Sequence, residues 1–284
     1  MTIAIGMAIV LGSISIGYMM HGGNFAVLMQ VSELIIIGGA ALGAMVIGSS
    51  PQDVRNVFVQ VFELLKPGGN RRVAYNELLN VLYDVFYSAR RDGLVSIEPH
   101  VEDPETSDLF GQYPTFQKNH EATEFFSDTL KVLLAGTVEE HHLSEILDTD
   151  LEVHHEAAMR VPHVLHKSGD ALPAFGIVAA VLGVIITMGH IGGSPEEIGE
   201  KIAAALVGTL LGVFLAYAVV NPLASAIENR VNDAHAYLRV IRTALLSFAR
   251  GDSPATSVEF ARRSIEGEDR PSFSEVEDLI RGSK

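Results

Sequence analysis

Polar groups set inside long uncharged stretches are costly to place, so they carry the most chemical information in this chain. Thr187 and Thr209 put hydroxyls into two such stretches, and Glu33 puts a carboxyl near the end of another. A threonine in an apolar helix either bonds the carbonyl four residues back or, where several copies form a ring, lines a central polar zone. Sequence alone keeps both alternatives. Glu33 falls at the outer end of its stretch, where it is expected to stay hydrated. If the protein conducts ions, a carboxylate at the middle of the bilayer is therefore expected to come from another chain. Pro173 and Pro222 mark the inner ends of two stretches. Pro173 suits a first helical turn. Pro222 interrupts what otherwise reads as one helix from Ile202 to Phe248, which predicts a kink and a candidate hinge.

Other chemistries find little support. Eleven histidines include His141-His142, His154-His155, and His163 with His166. Adjacent histidines do not share a helix face, and no further ligands gather around His163 and His166, so no metal centre is expected. The absence of cysteine excludes a disulfide framework, a thiolate zinc site and a cysteine nucleophile. No phosphate-binding loop, nucleophile elbow or dinucleotide fingerprint is present, so neither an enzyme nor a cofactor is expected. A formal net charge of −15 speaks against nucleic-acid binding.

The elements that must hold these residues are long apolar helices. Ile3–Met20, Val31–Ser50, Leu172–Ile191 and Ile202–Val220 are each 18 to 20 residues long, and apart from two tyrosines Glu33 and His190 are their only ionisable side chains. That length matches a helix crossing a bilayer core. The reading is all-α: a polytopic membrane protein with four transmembrane helices and a helical cytoplasmic domain. The first stretch lacks the basic leader of a secretory signal and is followed at once by a second span. Lys and Arg set the orientation. The segment His21–Gln30 has none and Gly192–Lys201 has one, whereas Pro51–Asp170 has ten and Asn221–Lys284 has nine. Both short loops then face outward, and both termini are cytoplasmic. The organisation reads as a transmembrane hairpin (1–50), a cytoplasmic helical domain (51–171), a second hairpin (172–222) and a cytoplasmic helical tail (223–284).

Periodicity fills in the cytoplasmic parts. Val54, Val57, Phe58, Val61, Phe62 and Leu65 share one helix face, stopped by Lys66-Pro67-Gly68-Gly69. A second helix covers about 72–91 and ends at Asp92-Gly93. Ser96–Pro114 reads as an acidic, Pro-containing loop, with helices following near 121–134, 138–147 and 151–160. Leu223, Ile227, Val231, Ala234, Leu238, Ile241, Leu245 and Phe248 form a near-heptad stripe that continues from the fourth span. Ser272 and Glu275 fit a capping box, with Val276, Leu279 and Ile280 expected to be buried. Gly39 with Gly43, Gly176 with Ala180, Ala179 with Gly183, and Gly208 with Gly212 are each four apart. This spacing suits close helix packing, within one chain or between copies in a ring.

The runs from Leu172 to Gly183, Ala205 to Gly212 and Ala216 to Ala224 resemble the MotA family of flagellar stator subunits, within the MotA/TolQ/ExbB proton-channel group. The run from Arg90 to Glu98, the run Arg270-Pro-Ser-Phe-Ser-Glu275, Tyr18 with Gly22-Gly23, and Glu33-Leu34 also fit the MotA pattern. The resemblance covers essentially the whole chain. It implies an ion channel, with the proton as the translocated ion, that turns ion flux into torque. It implies five copies around two copies of a single-span MotB-like partner, which supplies the ion-binding aspartate, and a rotor partner, FliG. By the same resemblance Pro173 and Pro222 couple ion passage to motion, Thr187 and Thr209 face the ion path, and Arg90 and Glu98 engage the rotor. An ExbB/TolQ-like energiser of an envelope transport system is the alternative, disfavoured by the four spans.

Overall fold

Helices supply all the regular structure, and no strand occurs among the described residues. The structure is a computed structural model that describes residues 2–66, 69–136, 138–190 and 192–282. In chain order the helices are α1 (Thr2–Met20), α2 (Phe25–Leu28), α3 (Val31–Gly48), α4 (Pro51–Glu63), α5 (Arg71–Asp92), α6 (Glu98–Glu102), α7 (Pro114–Gln117), α8 (His120–Ala135), α9 (Glu140–Met188), α10 (Pro195–Phe214), α11 (Asn221–Ala249), α12 (Pro254–Ser264) and α13 (Phe273–Gly282). A π-helical turn, Leu215–Val220, joins α10 to α11. Pro67, Gly68 and Ile191, which belong to the expected stop signal and third span, lie outside the described residues, as do the side chains of Leu279 and Ile280.

Four helical segments are long and apolar enough to cross a membrane: Ile3–Met20, Phe25–Gly48, Glu140–Met188 and Pro195–Ala249. Local chemistry sets many helix starts. Ser50, Ser194 and Ser253 each precede a proline and accept a hydrogen bond from the backbone N–H three residues on, at 3.1–3.2 Å. Gly93 ends α5 with φ +90°, a region that favours glycine. The capping box at α13 forms in both directions: Glu275 N–H donates to Ser272 Oγ, and Ser272 N–H donates to Glu275 Oε2.

The chain packs as two units. The first comprises Met1–Pro67 and Ala158–Arg230. Its core gathers Ile37 and Ala41 of α3, Leu172 and Ala179 of α9, and Ala216 of the π turn. Most of the long apolar helices stay open on their outer sides: Ile9 and Ile16 of α1, Ile35 of α3 and Ile185 of α9 are exposed, as a lipid-facing surface requires. The amphipathic face of α4 is mostly open too, with Val57 buried but Phe58, Phe62 and Leu65 exposed.

The second unit comprises Gly68–Ala157 and Val231–Lys284. Leu78, Leu82, Val85 and Phe86 of α5 meet Phe126 and Leu130 of α8, Leu143 and Leu147 of α9, and Leu238, Ile241, Leu245 and Phe248 of α11. Phe86 and Phe248 stack with centroids 4.3 Å apart. Thus the heptad-like stripe is buried along its second half, whereas Ala234 is exposed.

Two sequence expectations need correction here. The expected loop over 96–114 contains short helical turns, including Leu94–Ile97, α6 and Phe110–Gln112. Ile97, Val101, Phe110 and Phe116 anchor this region in the core, though they are too sparse to show a period. Polar groups tie it down as well: Ser107 Oγ accepts from Phe110 N–H, and Glu77 accepts from Thr115 N–H. The helices expected at 138–147 and 151–160 and the third span are one helix, α9, of 49 residues. The polar run Asp148-Thr149-Asp150 resembled a break but lies within a helix whose apolar face continues through Leu147 and Leu151.

Candidate functional site

The prolines at the inner ends of the third and fourth spans sit at one joint in the first unit. Pro173 lies inside α9, where the reading of a first-turn position does not hold. A proline there offers no N–H to the carbonyl four residues back, that of Gly169. Gly169 is buried, and a Cβ on it would collide with the Asn221 amide. Asn221 Nδ2 donates to Asp170 Oδ1 at 3.1 Å. One side-chain hydrogen bond therefore connects the turn before Pro173 to the residue before Pro222. The Asn221 Oδ1 is buried and has no hydrogen-bond partner among the described residues.

Pro222 follows the π turn directly. The Asn221 N–H bonds the Ala216 carbonyl, five residues back. A regular helix would press the Pro222 ring against the carbonyl four residues earlier, and the wide turn relieves that clash. The kink expected from sequence is thus realised as a local change of helix pitch.

Closely packed small residues hold the third and fourth spans together within one chain. A Cβ on Gly176 would lie 2.9 Å from the Gly208 carbonyl oxygen, one on Gly183 would lie 2.7 Å from the Ala205 Cβ, and one on Gly212 would lie 2.7 Å from the Leu172 carbonyl oxygen. Gly39 and Gly43 of α3 meet nothing within 4 Å. So the close approach serves intrachain packing at α9 and α10, while the α3 pair faces open space.

Thr187 is buried, and its hydroxyl donates to the Gly183 carbonyl at 2.8 Å, four residues back. Thr209 is half-buried and makes no side-chain hydrogen bond among the described residues. Its Cα packs near Gly176. Thr187 stands eleven residues beyond that level on α9, about 16 Å along the axis. The structure of a single chain does not bring the two hydroxyls together.

Glu33 departs from expectation. It is only 6% exposed, and its Oε2 is sealed from solvent with no partner among the described residues. The carboxyl leans on Gly208 of α10, near Ala179 of α9, so the chain does place an acid against the interior of its own spans. Sequence position alone gave no sign of this, because the burial comes from α3 packing on α10.

Arg90 and Glu98 belong to the second unit and flank the turn at Gly93. Both are exposed, and they do not pair with each other. Arg90 is anchored on the Gly251 carbonyl at 3.0 Å, and no carboxylate forms a salt bridge with it among the described residues. The adjacent Arg91 is engaged by Asp92 at 2.7 Å and covers the Tyr87 ring. That ion pair holds the Asp92 carboxyl below its ordinary range. In the same unit the His155 and His235 rings lie 4.5 Å apart. Burial, then His155 and Arg239, push the His235 imidazole below its usual value. No group of three or more metal-ligating side chains occurs among the described residues.

Comparison with known proteins now places this arrangement. Residues 4–93 match the family model described as Motility protein A N-terminal, and residues 117–239 match the MotA/TolQ/ExbB proton channel family. Over 99% of its length the chain is 33% identical to Motility protein A of Salmonella typhimurium, of which it covers 95%. The chain belongs to the Motility protein A family. Motility protein A of Escherichia coli is likewise 33% identical, over 100% of this chain and 96% of its own length. The chain shares its fold with the C. jejuni MotAB structure, with a TM-score of 0.77, 22% identity, and coverage of 96% of this chain and 98% of that one. Both prolines and the close-packed hairpin of α9 and α10 fall in the first unit, and Arg90 and Glu98 fall in the second.

Proposed function

We infer that the chain is the stator subunit of a bacterial flagellar motor, residing in the inner membrane as a multi-pass protein. With a single-span MotB-like partner it forms an ion channel that converts flux into torque. The observation that carries this reading is the full-length relationship to Motility protein A, over spans and cytoplasmic helices alike. Such proteins are channel components rather than enzymes.

The finer reading is as follows. Both termini and residues 51–171 and 223–284 are cytoplasmic, in keeping with the Lys and Arg distribution. Five copies surround two partner spans, each bringing one aspartate that takes up the proton. Thr187 and Thr209 lie along the ion path. Thr209, whose hydroxyl makes no hydrogen bond among the described residues, has a donor and an acceptor to offer, whereas Thr187 is held by Gly183. Pro173 and Pro222 couple proton passage to motion. Neither supplies a helix N–H, and the Asn221–Asp170 bond spans their two helices. A shift at one proline is thereby transmitted to the other. Arg90 and Glu98 push the rotor protein FliG by electrostatics, from exposed positions with no ion pair among the described residues. A proton crossing the membrane delivers about 2.3 kcal/mol per 100 mV, several times thermal energy.

Deletion of the gene tests the function: swimming is lost while flagella remain assembled. Normal swimming in a strain with no second stator set overturns the reading. Loss of an envelope uptake system, with swimming intact, would favour an ExbB/TolQ-like energiser.

A further inference from the structure

The Glu33 carboxyl has no part in the steps above. It stands in the first turn of α3, an 18-residue helix with no other charged residue. Its Oε2 is sealed from solvent and accepts no hydrogen bond among the described residues. The oxygen is seated on α10, where a Cβ built on Gly208 would lie 2.8 Å from it and 3.2 Å from the Ala179 Cβ. The missing side chain at position 208 is the gap that admits the acid.

No charged side chain among the described residues forms an ion pair or hydrogen bond with this carboxyl. At this level α9 contributes Ala179 and Ala180, and α10 contributes Gly208. The titratable residue at the far end of α9's apolar stretch, His190, turns Nδ1 to the Ile186 carbonyl at 2.9 Å. On α10 the nearest charge in sequence is Lys201, seven residues before Gly208. Helix α2 carries no titratable residue, and Gln30 at the N-cap of α3 donates to the Val27 carbonyl. An ionised carboxylate with no partner is costly in such surroundings. A bound proton removes that cost and makes the group a hydrogen-bond donor.

We propose that Glu33 is a proton-binding site of this chain within the membrane, separate from the partner's aspartate, and that its neutral form seats α3 against Gly208. The proposal rests on the stator reading for the side of supply: Glu33 follows the outward loop, so its proton comes from outside. Loss of that proton leaves an anion against α10 with no group to receive it. The acid then leaves its seat, and α3 loosens from α10. Occupancy of the site, and with it the packing of the second span, follows the outer pH.

The test uses the complete complex of this chain and its partner in lipid vesicles, read by infrared difference spectroscopy and by proton flux. A protonated-carboxyl band is expected at neutral pH, lost in Glu33→Gln and shifted in Gly208→Ala, whose added methyl displaces the acid. A spectrum unchanged by Glu33→Gln overturns the proposal. Glu33→Asp, which keeps the acid but shortens it, replaces the glutamine variant if that complex does not assemble. An unmoved band there overturns the proposal equally. Glu33→Gln is also expected to flatten the dependence of flux on outer pH, and a wild-type profile in that variant counts against the site. Wild-type vesicles that conduct no protons would instead fail the stator reading, while the infrared band would still decide the protonation of Glu33.

Discussion

Single side chains in this protein act through what they leave unpaired. Arg90 is tethered to a backbone carbonyl, not neutralised by an acid, so its charge is presented outward. Arg90→Glu is expected to slow or stop swimming without lowering protein level, and a matching charge reversal on the rotor is expected to recover part of it. Failure of every rotor reversal would remove direct contact from the account. Asn221 is a different case. Asn221→Ala removes the bond to Asp170 together with a buried, unsatisfied oxygen, so stability should change by about 1 kcal/mol or less. Torque measured on tethered cells should fall further than that small change implies. His235 gives the pH dependence. Its folded value lies below the ordinary 6.5, so the unfolded chain binds the proton first as pH falls. The second unit should lose stability below about pH 6.5, and His235→Asn should weaken that loss in melting curves. None of these side-chain relations was legible in sequence, since Asn221 and Asp170 are 51 residues apart and His155 and His235 are 80 apart.

At the scale of elements, local signals carried further. The Gly93 stop and the Ser272–Glu275 box depend on a few neighbouring residues, and both formed as read. The spans were legible because twenty uncharged residues have few other uses. The continuous α9 was not, because Pro162, Pro173 and the polar run at 148–150 imitate breaks that tertiary packing overrides. Pro222 was read as a kink, and the π turn shows how the chain accommodates it. Pro222→Ala restores the missing N–H and removes the reason for the wide turn. We expect unchanged membrane levels by immunoblot and strongly reduced torque. Loss of the protein from the membrane would assign Pro222 to folding. By contrast, Phe86→Ala empties the stacked core of the second unit, with an expected cost of about 3–5 kcal/mol in thermal melting.

For the whole molecule, the two packing units are not separate stretches of sequence, because α9 and α11 each contribute to both. The acid excess that sets the net charge lies mainly in segment 51–170, which holds 21 of the 35 acids, and the apolar excess lies in the spans. The exposed apolar surface of α1 and the open glycines of α3 belong to a protein completed by lipid and other chains. Particle symmetry and mass of the purified complex should give five copies around two partners, and a monomer or simple dimer would overturn the ring. The glycine seam between α9 and α10 also has a consequence for heredity. Every single-base missense change in a glycine codon introduces a Cβ, and at positions 176, 183 and 212 that atom has no room. These codons have no neutral missense neighbours, so a library of random variants selected for swimming should contain no amino-acid substitution at any of the three. Alanine should survive at 39 and 43 unless another copy of the chain fills the space beside them.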